Sequence, residues 1–413
     1  MDNSTPTVPL GSVATVLMGQ APSTTFVSES RVGLPFLQGN ADFGAMYPEP
    51  KLFCSRAIRV CEPGDILISV RAPVGALNRA DQRYIIGRGL AAIRIRELDA
   101  AYAWHAVKQA TPRLKGVAQG STFDAVSKAD VKALCVPFPP RTVQSKIAAI
   151  LDTVDAAIQQ TEALIAKLKV MKAGLLHDLL MRGLDGEGRL RDAGARPEEF
   201  RDTVVGRVPK EWQVWQLGDL STLVTSGPRG WAAYYAEDGA VFLRIGNLTR
   251  EHVNLRLKDV IRVRPPEGSE GRRTALESGD VLISITADLG IIGVAPVGLG
   301  EAYVNQHIAL ARVDPASAQS PWVANYLAGE PGRKQFERLN DAGAKAGLNL
   351  PTVRRLLIAL PSLPEQNKIA DLIDAQDVRI EAEAAYRDKL HRLKRGLMAD
   401  LLAGRARIRA EAV

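Results

Sequence analysis

Residues 139–155 read PPRTVQSKIAAILDTVD, and residues 361–377 read PSLPEQNKIADLIDAQD. The two stretches align without a gap at an offset of 222 residues. Pro139 pairs with Pro361, Gln144 with Gln366, Lys146 with Lys368, Ile147 with Ile369, Asp152 with Asp374 and Asp155 with Asp377. The same offset pairs Gly174-Leu175 with Gly396-Leu397, and Asp178-Leu179-Leu180 with Asp400-Leu401-Leu402. Self-similarity on this scale outranks any single motif. The chain is two copies of one unit, each ending in a long helix.

Both copies enter that helix through a Pro-rich approach, which stays extended because a residue before proline is pushed out of the α region. About 40 residues without proline follow, or roughly 60 Å of α-helix. In the first copy Ile147, Leu151, Val154, Ile158, Ile165, Leu168, Leu175 and Leu179 keep the 3–4 spacing of a coiled-coil seam. The second copy keeps Ile369, Ile373, Ile380, Leu390, Leu397 and Leu401 but places Gln376, Glu383 and Arg387 on the same stripe. Such a stripe needs a partner, and the other copy's helix is the economical one. Two equivalent copies usually relate by a twofold, which makes the expected pair antiparallel. The distal Leu175, Leu176, Leu179, Leu180, Leu397, Met398, Leu401 and Leu402 are too many apolar positions for one seam. Part of that surface is expected to meet another chain, with a wider intramolecular core as the alternative.

Ahead of each helix lies a β-rich unit with its parts in the same order. Phe36-Leu37-Gln38-Gly39-Asn40 answers Phe242-Leu243-Arg244-Ile245-Gly246-Asn247, and the turn and strand from Gly64 to Ser69 answer Gly279 to Ser284. Ser127 and Asn349 read as N-caps of short helices that close the two units. The expected division is a first β-rich domain over 1–140, a long helix over 141–183 and a linker over 184–211. A second β-rich domain over 212–362, a second long helix over 363–405 and a tail over 406–413 complete it. The linker is rich in glycine and charge, with no sustained apolar period. The expected fold class is α+β: two pseudo-symmetric β-rich domains joined by a long antiparallel two-helix coiled coil.

A 413-residue chain with 46% hydrophobic and 24% charged residues is ordinary for a globular protein. No apolar run reaches membrane-spanning length, and the N-terminus lacks a basic region followed by an apolar one, so cytoplasmic localisation is expected. Cys54, Cys61 and Cys135 lack metal-ligand spacing and read as buried thiols. The net charge of +7 tilts towards an anionic partner. No phosphate-binding loop is present, Gly87-Arg88-Gly89 lacks a dinucleotide-site setting, and the five histidines are scattered. No catalytic set emerges, and no cofactor or metal is expected on this chain.

Two β-rich units, each followed by a QxKIAxx[LI]D-type helix entry and a GL[LM]xDLLxxG-type terminus, resemble the specificity subunit of a type I restriction–modification enzyme. The phrase VPKEWQVWQLGDL, Val208 to Leu220, also resembles that family's opening of a second recognition domain. The resemblance implies a non-catalytic reader of double-stranded DNA whose two target recognition domains each contact one half of a bipartite site. It implies helices that set the spacer and dock two methyltransferase subunits, with S-adenosylmethionine bound by those partners, and a motor–nuclease subunit as a further member of the complex. Two other classes remain open from sequence: a two-repeat protein-binding scaffold, and a DNA methyltransferase with a cryptic site.

Base edges are read by Arg, Asn, Gln, Ser and Thr, and phosphates are held by Lys, Arg and small polar groups. The candidate DNA contacts in the first unit are Gln38, Asn40, Arg71, Arg88, Lys115, Gln119, Ser121 and Thr122. In the second they are Arg229, Arg244, Asn247, Thr286, Asn305, Gln306, His307 and Lys345. Arg229 sits in the turn Gly227-Pro228-Arg229-Gly230, which places it beside Trp231 for phosphate contact, with a surface cation–π pair as the alternative.

Overall fold

The computed structural model describes residues 5–118, 125–265, 273–341 and 347–406. The chain divides into two compact units, and both division points fall inside the long helices. Unit 1 comprises Met1–Ala163 and Ala384–Val413, and unit 2 comprises Leu164–Glu383.

Unit 1 is built on strands β1 (Ala14–Met18), β2 (Leu34–Leu37), β3 (Ile66–Ser69), β4 (Leu77–Arg79), β5 (Tyr84–Ile86) and β6 (Leu90–Ile95). An antiparallel sheet takes the order β1-β6-β3-β4, and a second sheet pairs β2 with β5 in parallel. Helix α1 (Ala100–Ala110) leads towards the first long helix, α2 (Arg141–Arg182). In unit 2 the strands are β7 (Ser221–Ser226), β8 (Ala240–Leu243), β9 (Val281–Ser284), β10 (Ile292–Val294), β11 (Ala302–Val304) and β12 (Ile308–Val313). Their antiparallel order is β7-β12-β9-β10, and β8 pairs with β11 in parallel. Helix α3 (Ser320–Ala328) and the second long helix, α4 (Leu363–Leu402), complete the set. The two sheet domains share one topology, as the repeated order of their parts predicts.

The repeated residues have repeated jobs. Gly64 and Gly279 both turn at φ 88°, a left-handed conformation that glycine adopts without strain. The next residue, Asp65 or Asp280, is buried and forms a bidentate pair with Arg94 or Arg312 on the neighbouring strand at 2.8–2.9 Å. Gln144 is buried at the start of α2, where its Oε1 accepts from the Asp99 backbone N–H at 2.8 Å and its Nε2 donates to the Pro139 carbonyl at 2.9 Å. Gln366 makes the same two bonds at the start of α4, to the Gln319 N–H and the Pro361 carbonyl, at the same distances. Each long helix is thus clamped to its own domain through backbone atoms. The Ser127 and Asn349 caps form as expected, accepting from the Asp130 and Thr352 N–H groups.

Inside each unit the end of one long helix lies alongside the start of the other. The buried seam of unit 1 takes Ile147, Leu151 and Ile158 from α2, with Leu390 and Lys394 from α4. That of unit 2 takes Ile165, Leu168 and Lys172 from α2, with Ile369, Ile373 and Asp377 from α4. The pairing of Asp155 with Lys394, and of Lys172 with Asp377, makes the arrangement antiparallel. The charged members of the seam have no counterpart in an apolar-period reading.

Three expectations need correction. The distal leucines do not form a free partner surface. Leu179 and Leu180 are buried in the core of unit 2, with Leu175 and Leu176 packed against it. Met398, Leu401 and Leu402 are buried in the core of unit 1, with Leu397 against it. The surplus apolar positions cover a sheet domain as well as a helix, so the wider intramolecular core holds. Residues 184–211 are more than a linker: the hairpin Phe200–Thr203 with Gly206–Pro209 contributes Val208 to the unit 2 core, Leu184 joins that core, and Arg191 pairs with Glu365. Cys54 and Cys61 are buried and free, but Cys135 is partly exposed.

The helix end gives a direct test. A Cβ placed on Gly329 would lie 2.3 Å from Leu180 Cδ1, so Leu180 fills a tight site under α3. Leu180→Ala is expected to destabilise unit 2 by about 2–5 kcal/mol with no partner present. Equilibrium urea unfolding of the purified chain measures this; an unchanged midpoint would place Leu180 outside the core.

Candidate nucleic-acid interface

At one end of the unit 1 sheets four strand-end loops are tied together by backbone hydrogen bonds. Gly87 N donates to Leu37 O at 2.8 Å, Val70 N to Gly89 O at 2.9 Å, Gly19 N to Leu90 O at 2.9 Å and Val126 N to Val70 O at 3.0 Å. Unit 2 repeats the set through different residues. Asn305 N donates to Leu243 O at 3.0 Å, Ile285 N to His307 O at 3.0 Å, Gly227 N to Ile308 O at 3.4 Å and Leu348 N to Ile285 O at 2.8 Å. Gly19 and Gly227 are required by this close approach. A Cβ there would lie 2.1 Å from the Gly87 carbonyl oxygen and 1.9 Å from that of Val304.

This junction gathers Gln38, Arg71 and Arg88, all exposed, with half-buried Asn40 close by on the turn after β2. Arg88 stands between two glycines that pack against the Gln38 backbone. Gln20, which follows Gly19 and is exposed, belongs to the same corner and has no motif of its own to announce it. In unit 2 the corresponding corner carries exposed Arg244 and half-buried Thr286, Asn305, Gln306 and His307. Thr286 Oγ1 lies 2.8 Å from His307 Nδ1, and Gln306 Nε2 lies 3.3 Å from His307 Nε2. Among the described residues Arg71, Arg88 and Arg244 make no ion pair, which leaves their charge available to an anion. By contrast, Arg94, Arg250 and Arg312 are held by Asp65, Asp288 and Asp280. A framework of fixed backbone with unlike side chains suits two different recognition tasks.

Other candidates are placed differently. Lys115 is exposed on the short helix Pro112–Ala118, outside the hydrogen-bonded junction. Gln119, Ser121, Thr122 and Lys345 lie outside the described residues. Asn247 is corrected: it is buried, its Oδ1 accepts from Arg244 N at 2.9 Å and its Nδ2 donates to Arg256 O at 2.9 Å. Its amide shapes the turn, and at 5% exposure the side chain presents no open edge to a base. Arg229 is exposed, but Trp231 is buried among Phe242, Tyr303 and Tyr234, so the expected surface cation–π pair is replaced by an aromatic core.

The helices carry polar features that sequence reading missed. His105 on α1 is fully buried and its Nε2 lies 2.8 Å from Asp152 Oδ1. Burial pushes the His105 pKa below its usual value, against the opposing pull of Asp152. Possible ligand atoms of His105, Asp152 and Asp155 lie within 4.8 Å of one another, but the Lys394 ammonium sits on Asp155 and balances this charge within the protein. The exposed apolar side chains also repeat. Ile150 and Leu372 share the 222-residue offset, as do Met171 and Leu393.

The sequence profile described as the type I restriction modification DNA specificity domain matches residues 5–170 and 209–392. A putative type I restriction enzyme MjaX specificity subunit from Methanocaldococcus jannaschii is 37% identical over 146 residues, covering 35% of this chain and 34% of that protein. The MjaVIII specificity subunit of the same organism is 22% identical over 322 residues, covering 76% of this chain and 71% of the relative. The chain thus spans about a third of the first relative and most of the second. The crystal structure of a type I restriction–modification S subunit from M. genitalium superposes with a TM-score of 0.59 at 15% identity, covering 96% of both chains. A chain from a study of complex assembly and conformational transition of the type I system gives 0.55 at 18% identity, covering 98% of both. At these identities the two structures bear on the fold alone, and the fold is shared.

Proposed function

The chain belongs to the type I restriction modification DNA specificity domain family, and from that premise we propose that it is the DNA-recognition subunit of a type I restriction–modification complex. Each sheet domain reads one half of a bipartite target through the loop junction at its strand ends. The long helices set the unread spacer and dock two methyltransferase subunits, and a motor–nuclease subunit can join. The chain itself performs no catalysis and acts in the cytoplasm. S-adenosylmethionine is bound by the methyltransferase, so calorimetry of the purified chain with that cofactor is expected to give no stoichiometric binding. Among the described residues no helix is long and apolar enough to cross a membrane.

The observation that carries this proposal is the repeated junction: one set of backbone bonds, presenting Arg88 with Gln38 and Arg71 in one unit and Gln306 with Arg244 and Thr286 in the other. Arginine suits guanine edges or phosphate, and glutamine suits adenine edges. Because Gln144 grips a backbone N–H and a backbone carbonyl, its clamp does not depend on the side chains of the domain it holds. Replacing residues 1–140 with the first unit of another family member is therefore expected to change one half of the methylated motif only. Methylome sequencing of cells that also express the methyltransferase reads the result. A change in both halves would contradict the proposal.

A finer prediction concerns charge. Arg71→Ala and Arg88→Ala together are expected to weaken DNA binding by the assembled complex. If both guanidiniums hold phosphates, the slope of log affinity against log salt should shrink by about two. A salt titration followed by fluorescence anisotropy checks this, and unchanged affinity at every salt concentration would remove the junction from the interface.

A further inference from the structure

We propose that the ion pairs Asp155–Lys394 and Lys172–Asp377 are the positioning groups that set the distance between the two half-sites, by holding the long helices in one register. This role presupposes the two-headed DNA recognition proposed above. The pairs are related by the repeat: Asp155 and Asp377 differ by 222 residues, and so do Lys172 and Lys394. Each pair joins α2 to α4 inside one unit, the first in unit 1 and the second in unit 2. Asp377 is 5% exposed, Lys394 7% and Lys172 9%, so three of the four charges are withdrawn from water.

The unit 2 pair also meets its own sheet domain. Lys172 Nζ donates to the Glu251 carbonyl at 2.9 Å, in the loops that follow β8, while Lys169 approaches the Glu251 carboxylate at 3.4 Å. In unit 1 the neighbouring Asp152 is held by His105 of α1. In unit 2 the ion pair itself is fastened to the domain, and in unit 1 the tie lies one turn away on α2.

A seam of Ile and Leu alone tolerates a slip of one heptad, because one aliphatic side chain replaces another. The buried charges do not. With Asp155 level with Lys394, a slip of seven residues in one direction puts Asp155 level with Leu401 and Asp377 level with Leu179. In the other direction Lys394 comes level with Ala148, and Lys172 with Ala370. Either slip strands three of the four charges opposite alkyl groups, the fourth meeting Glu162 or Arg387, and this costs far more than an exchanged methyl contact. Seven residues are about 10 Å of helix, or about three base pairs of DNA. The charged pairs therefore add to the hold of the helix ends buried in the two cores, and discriminate between spacers that the apolar seam would treat as near equivalents.

The test uses the full chain co-expressed with its methyltransferase, with methylome sequencing as the readout and circular dichroism to confirm helix content. Replacing all four charges by alkyl groups (Asp155→Leu, Lys394→Met, Lys172→Met, Asp377→Leu) preserves burial, since apolar substitutes for a buried pair are commonly tolerated. The expected result is unchanged half-sites with more than one spacer length, differing by about three base pairs. Exchanging the charges in both pairs (Asp155→Lys with Lys394→Asp, and Lys172→Asp with Asp377→Lys) should restore a single parental spacer. Lys172→Asp alone should lower methylation on the order of 100-fold. An alkyl variant that keeps one parental spacer overturns the proposal, and so does a folded charge-exchanged chain with mixed spacers. A parent chain that directs no bipartite methylation at all would instead overturn the recognition function beneath it.

Discussion

Lengthening both long helices by four residues, after Gln160 and after Ala382, is expected to add about one or two base pairs to the unread spacer and leave both half-site sequences intact. Four residues contribute about 6 Å of helix and overshoot one turn by only about 40°, so the apolar stripe nearly keeps its direction. The insertion points are favourable for a structural reason. Gln160 lies between Asp155 and Lys172 on α2, and Ala382 lies between Asp377 and Lys394 on α4. Both helices therefore grow between the same two ion pairs, and each pair can still close within its own unit. The Gln144 and Gln366 clamps and the buried helix ends also stay untouched. Lengthening α2 alone would leave four residues without a partner between the pairs, with loss of assembly as the expected outcome. Methylome sequencing reports the motif directly. An active double insertion with the original spacer would show that the helices do not set it.

The second large effect concerns docking of the methyltransferase. The distal leucines first expected to serve it are core residues, so the docking surface has to come from what the helices leave exposed. Met171 is 54% exposed and Leu393 49%, with Leu372 at 42% and Ile150 at 37%. Unit 1 holds Ile150 and Leu393, and unit 2 holds the repeat-related Leu372 and Met171. With Asp155 level with Lys394, Ile150 and Leu393 lie about 9 Å apart along the helix direction, as do Leu372 and Met171. Two repeat-related pairs of exposed apolar side chains suit two copies of one partner. Met171→Glu alone is therefore expected to reduce the bound methyltransferase from two subunits to one, and Met171→Glu with Leu393→Glu to abolish co-purification. Because both side chains are about half exposed, the unfolding free energy of the chain alone should change by no more than about 0.5 kcal/mol. Native mass spectrometry counts the subunits. Full occupancy in the double variant would sink this assignment, as would a single substitution that removes both copies.

Much of this molecule was legible in one dimension because the duplication supplied an internal comparison. Gln144 and Gln366, Gly64-Asp65 and Gly279-Asp280, and the entries to the two helices stood out as pairs, and each pair performs one local task. Caps, left-handed glycines and an apolar period depend on neighbours a few residues away, so sequence alone determined the two β-rich units, their order, the long helices and the family. Tertiary structure decided what depends on distant partners. Leu180 and Met398 look like any exposed apolar stripe until a sheet domain is laid over them. Asn247 looks like a base reader until its amide is seen bonded to Arg244 and Arg256. Lys172 and Asp377 are 205 residues apart in the chain, and hydropathy gives no reason to bury either. Folding pairs them because a buried charge is tolerated only opposite its complement, and that condition is met by geometry across two helices.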